Sequence, residues 1–164
     1  EAWGLSVRYS PEPPGALETA GGIANATPLL GAEQAFRVIN GDIFCDWNPA
    51  HVDSALRGRD SAHLVLVPNP PQHPKGDFSF LDPDVGSDAG AFDGAGTMYT
   101  FAGIGIYRPE LFDGIVRGRP AKLAPLLRAA MDERRVSGEV HRGRWVDVGT
   151  PQRLVELDRE LRSL

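Results

Sequence analysis

Val38-Ile39-Asn40-Gly41-Asp42 is the stretch on which the reading of this chain turns. It is a short buried-strand pattern that runs out in Asn-Gly-Asp, which places Asp42 where a strand of an open α/β sheet ends. Ligand crevices in such sheets form beyond the carboxyl ends of strands. Gly41 lets a ligand approach the backbone, and a carboxylate there is well placed to hold Mg²⁺ on a phosphate-bearing substrate. Far along the chain a second such place occurs, Arg144-Trp145-Val146-Asp147-Val148-Gly149-Thr150. Two isolated acids on strand ends, each beside a glycine, point to a metal site assembled from distant segments. A plainer reading stands beside each. Asn-Gly and Gly-Asp are common turn pairs, and Asp147, between two valines, could be satisfied by an arginine as well as by a cation.

Outward from this stretch the pattern alternates between strand and helix. Leu5 to Tyr9 alternates like a half-buried strand, followed by a Pro-rich loop that cannot be helical. An apolar-spaced helix is expected from about Ile23 to Leu30, with Gly31 as its stop. Asn48-Pro49 reads as N-cap and first helical position of a helix to about Arg57. Ala62 to Val67 is a strand continuous enough in apolar residues to be central. Residues 68–96 read as loops around a short strand at Phe78–Leu81. Tyr99–Tyr107 returns to strand. A helix is expected around Leu123–Met131, strands at Val136–Val140 and Trp145–Val148, and a helix capped by Thr150-Pro151 and striped by Leu154, Leu157 and Leu161. The βαβ order predicts an α/β fold with right-handed crossovers and a mostly parallel, mixed sheet flanked by helices.

The chain has 164 residues, 41% hydrophobic and 24% charged, ordinary for one soluble domain. A net charge of −5 and no basic stripe argue against nucleic acid as a partner. Cys45 is the one cysteine, so no disulfide framework exists. No run of apolar residues is long enough to span a membrane, and a cytoplasmic location is expected. Glu1 is not Met, and the chain enters almost at once into a strand pattern; an N-terminal βα unit of a longer protein is therefore expected to be missing.

Other motifs carry less. Leu17 to Gly22 opens a helix, where unpartnered amides suit an anion or a closely packed ring as readily as a plain helix start. Gly94-Ala95-Gly96-Thr97 has the look of a phosphate loop but precedes a strand instead of following one, so it reads as an ordinary loop. Asp46 is read as part of the solvated approach to Asn48. His51, His73 and His141 show no ligand spacing with Cys45, which argues against zinc. His63, in a core strand, reads as structural.

Taken together, Tyr9-Ser10-Pro11-Glu12, Leu17-Glu18-Thr19-Ala20-Gly21-Gly22-Ile23, Asn40-Gly41-Asp42, Ala62–Val67, Gly76-Asp77-Phe78, Thr100-Phe101-Ala102-Gly103-Ile104, Lys122–Leu127 and Trp145–Thr150 resemble the sugar-1-phosphate nucleotidylyltransferases, most of all the N-acetylmuramate α-1-phosphate uridylyltransferase branch. The segments occur in family order over nearly the whole chain. The resemblance implies a Rossmann-like fold and a Mg²⁺-dependent transfer from UTP to a sugar-1-phosphate, giving a UDP-sugar and pyrophosphate in cell-wall recycling. It implies that Asp42 and Asp147 are catalytic and hold Mg²⁺. It places Gly21, Gly22 and Asn40 against the nucleotide. Asn69, Gly76, Asp77, Ala102, Gly103 and Lys122 would form the sugar pocket.

Two departures matter. The family's G-x-G-T-R signature, which cradles the triphosphate, is absent from residues 1–164, so this stretch alone is expected to be inactive. The Glu-Lys-Pro segment of many relatives has no counterpart between Val67 and Thr100, although Lys75 could supply a charge. The same acid pair would also serve a mannose-1-phosphate guanylyltransferase, and a pocket without the phosphate loop would serve a non-catalytic sugar-nucleotide binding module. Oligomeric state is not legible.

Overall fold

Ala62–Val67 (β3) is buried along its whole length, which requires cover on both faces of the sheet. The computed structural model describes residues 4, 6–30, 34–50, 56–81, 92, 94 and 96–163, and within them that cover is visible. Side chains alternate across a strand, so Leu64 and Leu66 face a large core with Ala20, Ile23, Phe36, Phe78, Phe80, Tyr107, Leu123 and Leu127. Val65 and Val67 face a smaller one with Ala102 and Ile104, closed over by Ile43, Cys45, Trp47 and Trp145.

The main sheet runs β1 (Phe36–Ile39), β5 (Thr97–Tyr107), β3, β6 (Val136–Val140), with β4 (Phe78–Phe80) on another stretch of β5. β3 and β6 pair parallel, and β5 pairs antiparallel with β1, β3 and β4. β1, β3 and β6 therefore share one direction and β5 opposes them, the mixed sheet expected from the βαβ order. β1 lies on the edge instead of inside, and Ile39 is 54% exposed, so its apolar pattern overstated its burial. A separate antiparallel ribbon joins β2 (Ile43–Cys45) to β7 (Trp145–Asp147) and lies over the second core.

Helix α1 (Glu18–Leu30) begins several residues earlier than its apolar spacing implied, because Ala20 and Gly21 donate backbone hydrogen bonds to the Ala121 carbonyl at 3.0 and 3.1 Å. Helix α2 (Leu123–Asp132) buries Leu123, Leu127 and Ala130, a single face at helical spacing. Helix α3 (Pro151–Leu161) starts as expected, with Thr150 Oγ1 accepting the Arg153 amide at 3.3 Å. Its leucine stripe is a correction. Only Leu157 is buried, while Leu154 and Leu161 are 54% and 40% exposed, and the helix is also held by the Arg153–Asp147 and Arg144–Glu160 ion pairs.

Residues 6–10 form no strand. Val7 and Tyr9 are exposed, with no ladder beside them among the described residues. The segment is tied to α1 by Asn25 Nδ2, which donates to Ser10 Oγ at 2.9 Å and to the Pro11 carbonyl at 3.2 Å. Asn48 Oδ1 accepts the Ala50 amide at 2.9 Å as a cap should, but residues 51–55 of the expected helix lie outside the described residues.

His63 is buried in β3, with Nδ1 3.0 Å from Ser137 Oγ on β6. Burial outweighs the pull of Glu139 and Asp60 and pushes its imidazole below the usual 6.5. Folding thus favours the neutral ring. That stability is fully present above pH 6.5 and is lost as the pH falls toward the lower folded value. His63→Gln should flatten the decline in Tm measured from about pH 7 to about pH 5. An unchanged slope would show that His63 is not the group responsible.

Candidate active site

The register of β5 against β3 breaks between Val65, opposite Ile104, and Leu66, opposite Phe101. Ala102 and Gly103 fill this bulge, and Gly103 takes a φ of +74°, which a residue with a side chain adopts only under strain. The bulge turns two successive carbonyls toward the two acid-bearing segments. Asn40 donates its amide to the Gly103 carbonyl at 2.8 Å, and Trp145 Nε1 donates to the Ala102 carbonyl at 2.9 Å. Asn40 leads directly to Asp42, and Trp145 to Asp147.

The two acids meet at Gly149. Ile43 pairs with Asp147 across the ribbon, and Val148 donates its amide to the Asp42 carbonyl at 2.8 Å. Asp147 Oδ1 and Asp42 Oδ2 lie 3.0 and 3.1 Å from the point that a Cβ on Gly149 would occupy. The arginine expected as the plainer partner of Asp147 is also present. Arg153 Nη2 donates to both carboxylate oxygens at 3.0 and 2.9 Å, and its Nε donates to the Asp147 carbonyl at 2.8 Å. The Gly149 amide also donates to Oδ1 at 2.7 Å. A carboxylate offers about four lone-pair positions, so these three bonds fix its orientation and leave one position, on Oδ2, able to ligate. Two carboxylates in this relation can share one divalent cation, provided that a ligand's oxygens complete its shell.

Asn40, Asp42, Ala102, Gly103 and Asp147 line a cleft of about 230 Å³, together with His73, Phe101 and Trp145. Asn40 and Phe101 also belong to a second cleft of about 330 Å³, lined by Glu18, Thr19, Asp77, Lys122 and Leu123. The two hollows meet at Asn40. Seven of the expected site residues thus lie around one divided cavity.

The other four line neither of these two hollows, and each has close protein neighbours. The Asn69 side chain is occupied as a clamp, with Nδ2 donating to the Met98 carbonyl at 3.0 Å and Oδ1 accepting from Thr100 Oγ1 at 2.9 Å. Gly76, at φ +64°, packs so closely that a Cβ would lie 2.7 Å from the Tyr99 carbonyl. Gly21 is buried, and a Cβ there would lie 2.5 Å from the Arg119 carbonyl, while one on Gly22 would lie 2.8 Å from Glu12 Oε1. Each of these has a packing reason of its own. Asp77 does both jobs: it lines the second cleft, accepts the Phe101 amide at 2.9 Å, and holds His73 Nε2 at 3.1 Å. The sequence reading missed His73, Trp145 and Arg153. Arg153 was the legible one, since a helix starting at Pro151 returns its third residue toward the strand just left.

These features form a cleft at strand ends of an α/β sheet, lined by two convergent carboxylates. The nucleotidyl transferase family profile matches residues 1–163, and the chain belongs to that family. It is 54% identical over 158 residues to a Neisseria meningitidis serogroup B protein named N-acetylmuramate alpha-1-phosphate uridylyltransferase, covering 94% of this chain and 67% of that one. A Caulobacter vibrioides protein of the same name is 32% identical over 163 residues, covering 93% and 65%. The chain thus spans about two thirds of the length of these curated relatives. Among solved structures, a Bacillus anthracis protein described as a glucose-1-phosphate thymidylyltransferase, in complex with a sucrose, superposes with a TM-score of 0.67 at 16% identity, over 89% of this chain and 61% of its own. HddC from Yersinia pseudotuberculosis, complexed with GMP-PN, gives 0.60 at 17%, over 91% and 64%. At such identities the likeness concerns the fold, which is the Rossmann-like fold expected.

Gly103→Ala would require a strained φ and put a Cβ within 3.0 Å of the Asn40 side chain. Chemical denaturation should register a loss of about 1–3 kcal/mol. Full retention of stability would show that the bulge is not held as described.

Proposed function

We propose that the divided cavity transfers a uridylyl group from UTP to N-acetylmuramate 1-phosphate, giving UDP-N-acetylmuramate and pyrophosphate, with Asp42 and Asp147 as the residues that hold Mg²⁺. In the cell the reaction would belong to cytoplasmic recycling of cell-wall amino sugar. The observation that carries this is the convergence of the two carboxylates on Gly149. The high identity to a relative named for that activity supports the choice of base and sugar.

The donor set fits the ion. Mg²⁺ takes oxygen ligands and is ordinarily held by one or two carboxylates, with substrate phosphates and water filling the shell. When bound, it supplies the positive charge that offsets repulsion between the two phosphates and the charge developing at the transferred phosphorus. The chain's residues do the rest. Arg153 holds the Asp147 carboxylate in one orientation, and Gly149 leaves the space between the acids open. Asn40 stands where the hollows meet, and Lys122 at the start of α2 brings a positive charge to the second cleft. The loop from Asn69 to Asp77 walls the sugar side. A phosphate monoester is largely ionised near neutral pH, so its attacking oxygen has no proton to lose. That oxygen forms a bond to the α-phosphorus of UTP while the bond to the bridging oxygen of the β-phosphate breaks, and pyrophosphate leaves with the electron pair. The cavity's task is position and charge balance.

Pyrophosphate release by the full-length protein tests this. Turnover should require Mg²⁺, UTP and N-acetylmuramate 1-phosphate, and residues 1–164 alone should show none. Asp42→Ala and Asp147→Ala should each lower turnover at least about a hundredfold. Near-wild-type release by either variant would refute the metal assignment. Arg153→Lys keeps the charge but loses the fork, and should lower turnover about tenfold while changing stability by less than about 1 kcal/mol. Turnover with GTP and mannose 1-phosphate instead would move the substrate, and none with any pair would favour a binding module.

A further inference from the structure

A second group of potential ligands lies at the opposite end of the β2–β7 ribbon. Cys45 Sγ, a carboxylate oxygen of Asp46 and a ring nitrogen of His141 all lie within 4.8 Å of one another. His141 Nε2 and Asp46 Oδ1 are 2.7 Å apart. The donors come from two segments, one closing β2 and one just past β6, and their backbones are tied down independently of any ion. Cys45 pairs with Trp145 in the ribbon, Asp46 donates its amide to the Arg144 carbonyl at 3.1 Å, and His141 donates its own to the Leu66 carbonyl at 2.8 Å.

Gly143 packs directly against this pair. A Cβ there would run into Asp46 Oδ1 and come within 2.7 Å of His141 Nε2, so only glycine lets the backbone lie this close to both donors. A histidine–aspartate hydrogen bond alone would not account for the thiol placed beside it.

We propose that Cys45, Asp46 and His141 form a binding site for a soft divalent transition metal of the Zn²⁺ type, separate from the Asp42–Asp147 pair. One sulfur, one imidazole and one carboxylate, with water in the fourth position, is a zinc donor set, whereas Mg²⁺ prefers an all-oxygen octahedron. Zn–S and Zn–N bonds of about 2.3 and 2.0–2.1 Å at tetrahedral angles put donors about 3.3–3.6 Å apart, so the histidine and aspartate need to separate by less than about 1 Å. Binding releases the Cys45 thiol proton to solvent, while Asp46 binds ionised and His141 neutral. The ion would join β2 to the β6–β7 connection, two residues along β2 from Ile43, the partner of Asp147. It would thereby stiffen the ribbon that carries the acid pair.

Titration of the chain with Co²⁺, in excess Mg²⁺ and with a non-thiol reductant, tests the site. Saturable one-to-one binding is expected, with a thiolate-to-cobalt charge-transfer band and tetrahedral d–d bands, both bleached by one equivalent of Zn²⁺. Cys45→Ser and His141→Ala should abolish the bands, and Gly143→Ala should weaken binding by more than about tenfold. The wild-type spectrum decides by itself should a variant fail to fold. No charge-transfer band at saturation, bands that survive His141→Ala, or displacement by Mg²⁺ would each overturn the proposal.

Discussion

The bulge at Ala102–Gly103 is the constraint on which the site depends. In a regular β5 successive carbonyls would point to opposite neighbours, one toward β1 and one toward β3. With the β3 register broken by two residues, the Gly103 carbonyl takes the Asn40 amide just past the end of β1, and the Ala102 carbonyl takes the Trp145 indole. Neither bond is strong in net terms, on the order of 1 kcal/mol. Their value lies in direction, because each fixes a short segment that ends in a carboxylate. Gly103 makes the turn possible, and Gly149 makes the resulting approach of the acids tolerable.

Arg153 settles a competition that the sequence left open. Asp147, half-buried, needed a partner, and either an arginine or a cation would have served. The arginine is there, yet it grips the carboxylate from one side and through the backbone carbonyl as well. Such a fork orients a ligand more than it consumes one. The proposed Mg²⁺ therefore does not compete with the ion pair, and Arg153 reads as the positioning residue for Asp147.

Legibility followed the range of the interaction. β3 falls at its expected bounds because a long apolar run reports on burial directly, and β6 matches its expected bounds through the valines at its two ends. The start of α3 was legible in Thr150-Pro151, a local cap. β1 was judged more buried than it is, since an edge strand can be as apolar as a central one. Of the strand expected at Leu5–Tyr9, Leu5 lies outside the described residues, and residues 6–9 pair with no strand among them. Asp42 and Asp147 were legible as two isolated acids beside glycines, but their meeting depends on the Ala102–Gly103 bulge, which nothing in the local pattern of β5 announces. Asn69 and Gly76 were assigned to the sugar by resemblance, and their local contacts show how that loop is held to β5. The nearness of Cys45 to His141 was likewise invisible, since ligand spacing along the chain says nothing about two segments joined through a sheet.

The most direct test of the central claim is a crystal structure of the full-length protein with Mn²⁺ and UTP, read by anomalous scattering. A peak within bonding distance of both the Asp42 and Asp147 carboxylates, with a UTP phosphate oxygen on the same ion, is the expected result. A peak bound elsewhere, with Asp147 held by Arg153 alone, would contradict it.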